Sequence, residues 1–416
     1  MIATQGLAAF WLDGATLVDG SGRDPMDACG VLVEDGRIVR VGGSPPAGVH
    51  VVDCAGLTLT PGLIDAHVHL GISSPIEPSL RYELSIAEMA ADIFANCAQT
   101  LDAGFTTVRD TGGIDAGLAR AVALGKVSGP RILQCGPIQC QTGGHGHFCS
   151  AWEPADRWSE RDLPGLRAVS LLSDGPDEMR KNARESFRRG ADFLKLCVTG
   201  GVVSMHDKLT DTQFSVEEIA AAVAEATARG TYVTVHAHNN AGVRNAVAAG
   251  VKCVEHGSEI DEETAALMAA HGVAHVPTLA VVEALLAGVT ATGLQGAIAE
   301  RIGVAKDGQV SGLLASRAAG VRVGLGSDLI GPDQTGRGQE LVLRAAIETP
   351  MDALVSATRI NADILGIASE VGTIETGKVA DLVAFDGNPL DEPKLFGDRD
   401  RVVLVIKNGR IVKQAT

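Results

Sequence analysis

The chain has 416 residues, 45% of them hydrophobic and only 3% aromatic, which excludes a minimal domain and predicts a core of aliphatic helices and strands. A formal net charge of −16 argues against nucleic acid as a partner, because nucleic-acid-binding proteins usually carry a basic face or stripe. No basic segment precedes an apolar run at the start, and no run of about 20 apolar residues occurs, so we expect a cytoplasmic protein with no membrane partner.

Two segments at opposite ends of the chain resemble each other, and each predicts a β-hairpin. Asp35-Gly36 separates two β-branched runs within residues 31–40, and Asn408-Gly409 does the same within residues 403–413. Such pairs supply the positive φ angles that a two-residue hairpin turn requires. We therefore predict a small β-sandwich domain formed from both termini, residues 1–60 and 371–416.

Between the termini, residues 61–370 alternate short apolar runs with Ala-rich amphipathic stretches, the pattern of repeated βα units. The eight predicted strands are residues 63–70, 106–110, 131–136, 192–198, 232–238, 253–257, 275–279 and 321–328. Helical stretches separate most of them, for example residues 215–229, where Ser215 and Glu218 match a capping box. Eight units of this kind predict an α/β fold of the (β/α)8 TIM-barrel type.

Two long connections follow predicted strands. Residues 137–176 are rich in Gly, Pro, His and Trp and lack periodicity, and residues 282–295 follow the seventh strand. Loops at the carboxyl ends of barrel strands usually form the active site. We interpret the first connection as an active-site loop and the second as a lid.

The histidines give the main indication of chemistry. His67 and His69 are two residues apart at the end of the first predicted strand, so both imidazoles project from the same side. His236 and His256 end the fifth and sixth strands, and Asp328 ends the eighth. Each of these side chains could simply be a satisfied polar residue, but a barrel gathers its catalytic groups at these strand ends.

Lys195 lies among apolar neighbours in the fourth predicted strand. A protonated lysine has no lone pair for a metal, and it could instead extend to the rim or pair with Asp192. Burial and nearby cations would lower the pKa of its amine. The neutral amine could then react with carbon dioxide to form an anionic carbamate.

The ordered motifs resemble those of the amidohydrolase superfamily over nearly the whole chain. They are PGLIDAHVHL (61–70), TTVRD (106–110), DFLKLCVTGG (192–201), VHAH (235–238), VEHG (254–257), GSD (326–328) and GKVADLVAFDGNPL (377–390).

This resemblance implies two divalent metal ions, usually zinc, and a mechanism. His67, His69 and Asp328 would hold the first ion, His236 and His256 the second, and N-carboxylated Lys195 would bridge them. A water between the two cations would become hydroxide at neutral pH and attack a polarised carbonyl. Asp328 would carry its proton to the leaving amine.

Three segments resemble the branch that contains imidazolonepropionase-related enzymes, Xaa-Pro dipeptidases and arginine/lysine carboxypeptidases: QTGGHGH (141–147), KLCVTGGVVS (195–204) and HAH (236–238). The resemblance implies that His145 and His238 bind the substrate, often at a terminal carboxylate. Arg337 stands where relatives tend to have histidine, and it could bind a carboxylate in bidentate fashion or face water. We expect His147 to stabilise its loop and His206 to face solvent.

The function predicted from these residues is hydrolysis of a C-terminal amide bond in a dipeptide or N-acyl amino acid. We also expect the protein to be a homo-oligomer. A second hypothesis keeps the metals but assigns a non-peptide substrate: a cyclic amide, a urea, a carbamate or an amino-acid-linked toxin. Imidazolonepropionase activity itself is disfavoured, because imidazolonepropionases work with one metal ion and no bridging lysine, whereas Lys195 is present here. A third hypothesis, a non-catalytic homologue, is disfavoured by the presence of all six expected metal ligands.

Overall fold

The computed structural model describes residues 9–75, 83–155, 158, 161–204, 206–292 and 297–415. Its strands are β1 (Ala9–Leu17), β2 (Met26–Glu34), β3 (Arg37–Val41), β4 (His50–Asp53), β5 (Leu57–Pro61), β6 (Leu63–Val68), β7 (Phe105–Asp110), β8 (Arg131–Gln134), β9 (Ile138–Cys140), β10 (Ser170–Leu172), β11 (Leu194–Cys197), β12 (Val233–Ala237), β13 (Cys253–His256), β14 (Ala274–Val276), β15 (Leu382–Asp386), β16 (Val402–Lys407) and β17 (Arg410–Gln414). Its α-helices are α1 (Ile86–Asp102), α2 (Ala116–Ala123), α3 (Pro176–Arg188), α4 (Val216–Thr227), α5 (Asn240–Ala249), α6 (Glu262–Ala270), α7 (Leu279–Thr292), α8 (Ala297–Ala318), α9 (Gln339–Ile347), α10 (Pro350–Val355) and α11 (Asn361–Ile364).

Strands from both ends of the chain pair in one eight-stranded sheet. Its order is β17-β16-β15-β5-β1-β2-β3, and β4 pairs with β1. Strands from the N-terminal and C-terminal segments thus share one sheet. Because β5 pairs with both β1 and β15, it joins the two groups of strands edge to edge. The pairing of the described strands therefore gives one sheet, and the two facing sheets of the predicted sandwich are not confirmed.

Both predicted hairpin turns are present. Asp35 and Gly36 have φ angles of 47° and 80°, and Asn408 and Gly409 have φ angles of 50° and 68°. Positive φ at both central residues is typical of type I′ turns, which match the twist of paired strands. A Cβ atom on Gly409 would lie 2.3 Å from the Cα atom of Gly36, so glycine is needed where the two turns touch.

The remaining strands form two parallel sheets, a mixed α/β arrangement. One has the order β6-β7-β8, and the other has the order β10-β9-β11-β12-β13-β14. Seven of the eight predicted barrel strands occur here; six of them are shorter than predicted, and β7 begins one residue earlier than predicted. The predicted capping box is also present at the start of α4, where Ser215 and Glu218 bond to each other's backbone.

The eighth predicted strand, residues 321–328, is not a regular strand. Only Val323 forms a bridge, with His275 of β14. On the other side the Asn361 side chain donates to the carbonyl oxygens of Ile64, at 2.7 Å, and Leu325, at 2.8 Å. A side-chain amide thus takes the place of part of a backbone ladder. The strand pairs among the described residues consequently leave the two parallel sheets separate and do not close a barrel.

The two long connections are more ordered than predicted. Residues 137–176 contain β9 and β10, and β9 pairs with β11 within the larger parallel sheet. Strands of three residues are too short to show a period in the sequence. Residues 282–292 belong to α7, while residues 293–296 lie outside the described part. No helix within the described ranges is long and apolar enough to span a bilayer.

Side chains on β15 alternate between two cores. Leu382 and Ala384 pack among the strands of the terminal sheet, whereas Val383 and Phe385 pack on the other side against residues of β6, β7 and α9. Alternation of this kind is expected for a strand that is covered on both faces. The terminal sheet is therefore attached to the α/β part through a continuous apolar layer.

Candidate active site

Six side chains predicted to bind metal line a single pocket at the carboxyl ends of the parallel strands. They are His67, His69, Lys195, His236, His256 and Asp328. Four of these residues lie within strands, and the other two follow directly on β6 and on residues 321–327. Since parallel strands end at the same edge of a sheet, residues far apart in sequence meet there.

The imidazoles of β6 and the carboxylate of Asp328 converge closely. The Nε2 atoms of His67 and His69 are 3.3 Å apart, and Oδ1 of Asp328 lies 3.3 Å from the first and 3.1 Å from the second. Nδ1 of His256 lies 3.6 Å from Oδ2 of the same carboxylate. One ligand atom from each of His67, His256 and Asp328 falls within 4.8 Å of the others.

Hydrogen bonds on the far side of the rings fix which nitrogen faces this cluster. Nδ1 of His67 lies 2.8 Å from Oε2 of Glu255, and Nδ1 of His69 lies 2.7 Å from the carbonyl oxygen of Gly112. Both partners accept, so both Nδ1 atoms carry the proton and both Nε2 atoms present a lone pair. Lone pairs and a carboxylate oxygen at these distances repel one another unless a cation lies between them. The donor set therefore fits a divalent metal ion.

His256 and Asp328 share a backbone feature that is uncommon outside glycine. Their φ angles are 69° and 55°, in the left-handed region. The carbonyl oxygen of His256 accepts a hydrogen bond from Nε2 of His275, at 3.1 Å, and the Asp328 amide donates to the carbonyl oxygen of His67, at 2.8 Å. Strained residues held by their surroundings cluster at functional sites, and both of these carry groups of the candidate site.

Although burial disfavours its charged form, the neighbouring Asp328 carboxylate raises the pKa of His69. Burial dominates at four other histidines of the pocket. It lowers the pKa of His145 to about 4 and of His238 to about 3, and it holds the pKa of His236 and His256 well below the usual range. For Asp328 burial acts in the opposite direction, but the histidine charges and hydrogen bonds around it keep its pKa well below the usual range. Neutral imidazoles and an ionised carboxylate are the forms that bind a metal.

His236 occupies the side of the cluster nearer the long connections. Its ring centroid lies 4.5 Å from that of His256 and 4.7 Å from that of His238, and Nε2 lies 3.2 Å from the carbonyl oxygen of Gly200. Lys195 is 2% exposed and lines the same pocket. The site therefore contains every predicted ligand. The His256 ring lies next to the rings of both His67 and His236, which were predicted to bind different metal ions.

The rest of the pocket is lined mainly by apolar side chains. They come from the β6 end, the 137–176 connection, the loop after β11, helix α7 and the loop after Asp328, and they are Ile72, Ile138, Phe148, Val169, Val202, Val203, Val281, Val282, Leu285 and Ile330. Asp328 is the only acidic side chain that the described part of the chain contributes to this lining. The pocket is thus polar at its floor, where the candidate metal ligands lie, and apolar along its wall.

Two histidines predicted to bind substrate belong to this pocket. Nδ1 of His145 lies 2.6 Å from Oγ of Ser204, and its ring stacks on that of His236 with centroids 4.1 Å apart. Nδ1 of His238 lies 2.8 Å from Oγ of Ser258. The second ring nitrogen of each is therefore available to a bound molecule.

Comparison with known proteins identifies the family. A sequence model of the Amidohydrolase family matches residues 58–412. The chain belongs to the amidohydrolase family. An ochratoxinase of Aspergillus niger is 30% identical over 410 residues, which cover 95% of this chain and 85% of that protein.

Solved structures extend the comparison. A prolidase complexed with N-methylphosphonate-L-proline has a TM-score of 0.91 and 34% identity, covering 98% of this chain and all of the other. A Xaa-Pro dipeptidase with methionine in its active site has a TM-score of 0.87 and 27% identity, covering 97% of this chain and 100% of that one. The predicted superfamily and branch are confirmed, and this amidohydrolase is an enzyme that hydrolyses amide C–N bonds.

Arg337 does not lie where the sequence suggested in this amidohydrolase. It is 1% exposed, it is not among the residues that line the pocket, and its guanidinium is used by internal partners. These partners are Asp65, Asn96, Thr100, Ser327 and Gln334, at 2.6 to 3.4 Å. A guanidinium enclosed in this way cannot reach a substrate, so the prediction that Arg337 binds a substrate carboxylate is wrong. Arg337 instead stabilises the residues beneath Asp328.

Two other histidines have the local roles expected from the sequence. His147 is buried, accepts a hydrogen bond from the Gly143 amide at 3.0 Å, and lies 2.8 Å from Sγ of Cys149. His206 is exposed and bonds to the Cys149 carbonyl oxygen. Both stabilise the connection after β9.

Sequence reasoning missed the residues that orient the candidate ligands. Glu255 contacts His67, and Thr278 lies 2.8 Å from Nδ1 of His256. Although burial favours the neutral acid, the Arg109 charge keeps the pKa of Glu255 well below its usual range. The only signal in the sequence was the presence of two charged residues, Arg109 in TTVRD and Glu255 in VEHG, at positions expected to be buried in strands.

Proposed function

We propose that this amidohydrolase cleaves the C-terminal amide bond of a dipeptide or N-acyl amino acid whose acyl part is apolar and uncharged. The observation that carries the proposal is the pairing of a histidine-rich floor with an apolar wall in one pocket. Among the described lining residues, Asp328 alone is acidic, and we assign it to the reaction. A basic substrate side chain would find no other counter-charge, which disfavours an arginine/lysine carboxypeptidase.

We propose that two divalent ions, most simply zinc, bind the floor. His67, His69 and Asp328 would hold one, His236 and His256 the other, and N-carboxylated Lys195 both. When bound, such ions lower the pKa of water and polarise a carbonyl oxygen. Asp328 would accept a proton from the attacking water and give it to the leaving amine. His145 and His238 would donate their pocket-facing N–H groups to the substrate carboxylate or carbonyl oxygen.

The scaffold that we propose for this chemistry is a closed (β/α)8 barrel of residues 61–370. Residues 1–60 and 371–416 would form a small β domain of the sandwich type. Backbone hydrogen bonds from residues 321–328 to both β14 and β6 support closure of the barrel. A homo-oligomer in the cytoplasm also stays a prediction.

A second candidate function is hydrolysis of a non-peptide amide, including an amino-acid-linked toxin. The observation in its favour is the 30% identity to the ochratoxinase. The apolar wall suits both candidates, because it would accommodate an aliphatic or an aromatic acyl group equally. The two differ in the acyl group and share the scissile bond.

Release of amino acids from a panel of N-acyl amino acids and dipeptides, each paired with its C-terminal amide, tests the proposal. We expect cleavage of the free acids and a loss of about 10- to 100-fold in kcat/KM for the amides, the size of a hydrogen bond to a charged group. His238→Ala should remove most of that difference, whereas exposed His271→Ala should leave it unchanged. Cleavage of no carboxylate-bearing amide would refute the proposal, and equal losses in both series would refute the role of His238.

A further inference from the structure

A buried ion pair lies beneath the pocket and takes no direct part in the proposed reaction. Nη2 of Arg109 is 2.6 Å from Oε1 of Glu255, and both residues are fully buried. Neither is among the residues that line the pocket. Two charges in the interior need a reason, because replacing such a pair with apolar residues is often neutral or stabilising.

The second carboxylate oxygen of Glu255 makes the contact that matters. Oε2 lies 2.8 Å from Nδ1 of His67. An ionised carboxylate can only accept, so the proton is fixed on Nδ1, and Nε2 presents its lone pair to Asp328 and His69. A carboxylate also makes the imidazole a stronger ligand than a neutral acceptor does.

Arg109 bonds to the backbone of β6 as well as to Glu255. Its Nε atom donates to the carbonyl oxygen of Ala66 at 2.6 Å, directly before His67 in β6. The same guanidinium therefore fixes the backbone that carries the imidazole and the carboxylate that orients it. The Thr234 hydroxyl donates to Oε1 of Glu255 as well, so the carboxylate has little freedom to turn.

We infer that Arg109 and Glu255 are positioning residues that hold His67 in the tautomer and orientation needed to bind metal. The inference rests on the proposed metal site and goes beyond it, since it predicts metal affinity from two residues that touch neither metal nor substrate. An ion pair with a purely structural role would affect folding and leave metal affinity alone.

Two double variants separate these roles. Arg109→Met/Glu255→Leu removes the pair without leaving an unpaired charge, and Arg109→Met/Glu255→Gln does the same but keeps an oxygen that can accept from Nδ1 of His67. The measurements are the Zn²⁺ dissociation constant, by competition with a chromophoric chelator, and thermal unfolding of the metal-free protein. We expect the leucine variant to bind Zn²⁺ about 10- to 100-fold more weakly than wild type and the glutamine variant to recover part of the loss.

Each outcome decides between the roles. Wild-type Zn²⁺ affinity in both folded double variants would overturn the inference, and so would equal losses in the two. If the leucine variant does not fold, the glutamine variant against wild type carries the test, and unchanged affinity there overturns the inference. A wild-type protein that binds no Zn²⁺ would instead overturn the proposed function.

Discussion

The floor and the wall of the pocket are built differently. On the floor, Nδ1 of His67 and Nδ1 of His69 are each bonded to a buried acceptor on the far side of the ring, and Nδ1 of His256 is bonded to buried Thr278. The wall is formed by aliphatic and aromatic side chains on loops and on α7, and several of them belong to a small apolar cluster of their own with α8. Hydrogen bonds constrain both the distance and the orientation of a side chain, whereas apolar packing constrains mainly the volume that the side chain fills.

The difference suggests that the floor and the wall have different roles. Changes on the floor should alter metal binding or turnover for every substrate, since each side chain there has one productive orientation. Changes on the wall should alter which acyl groups bind and leave the chemistry intact, because a pocket wall discriminates by fit. Variants in the two regions therefore test whether metal binding and acyl-group selection are separate properties of the pocket.

Lys195→Ala should have the largest effect. Lys195 is buried on β11, and the proposed carbamate would be the only ligand shared by both ions. We expect loss of most bound metal and of nearly all activity, measured by elemental analysis and by turnover. Exposed Lys208→Ala, after the same strand, is the matched control. A Lys195→Ala protein with full metal content and wild-type turnover would contradict the bridging role.

Asp328→Asn should have the next largest effect and should separate binding from chemistry. The amide keeps an oxygen that can bind metal but cannot accept and return a proton, so we expect kcat to fall about 10²- to 10⁴-fold while much of the metal is retained. Exposed Asp333→Asn, five residues later, serves as the control. Retained turnover would show that another group transfers the proton.

The convergence of the floor residues was predictable from the sequence, because position and residue type coincide there. His67, His236 and His256 lie at strand ends, where a regular fold places side chains without knowledge of tertiary contacts. The terminal hairpins were predictable for a similar reason, since Asp35-Gly36 and Asn408-Gly409 are local turn signals.

Features that depend on long-range partners could not be predicted. Arg337 was expected to bind a carboxylate or to face water, but its guanidinium is bonded to residues from β6, α1 and residues 327–334, which no local pattern reveals. Residues 321–328 have the sequence pattern of a strand, yet the Asn361 side chain takes the place of some of the backbone hydrogen bonds that a neighbouring strand would supply. Glu255 and Arg109 can be recognised in the sequence as charged residues within strands. Their role follows only from the contacts that β6, β7 and β13 make in the folded chain.

Leu285→Ala should have the smallest effect and bears most directly on the wall. Leu285 is half-buried on α7 and lines the pocket. Removal of its side chain should cost about 1 kcal/mol of binding to a large apolar acyl group, or about fivefold in KM, with kcat and metal content unchanged. An N-acetyl substrate, too small to reach the wall, should be unaffected, and Leu314→Ala on the surface of α8 should change neither. Equal losses for large and small acyl groups would mean that the wall also supports the floor, and the division between the two regions would fail.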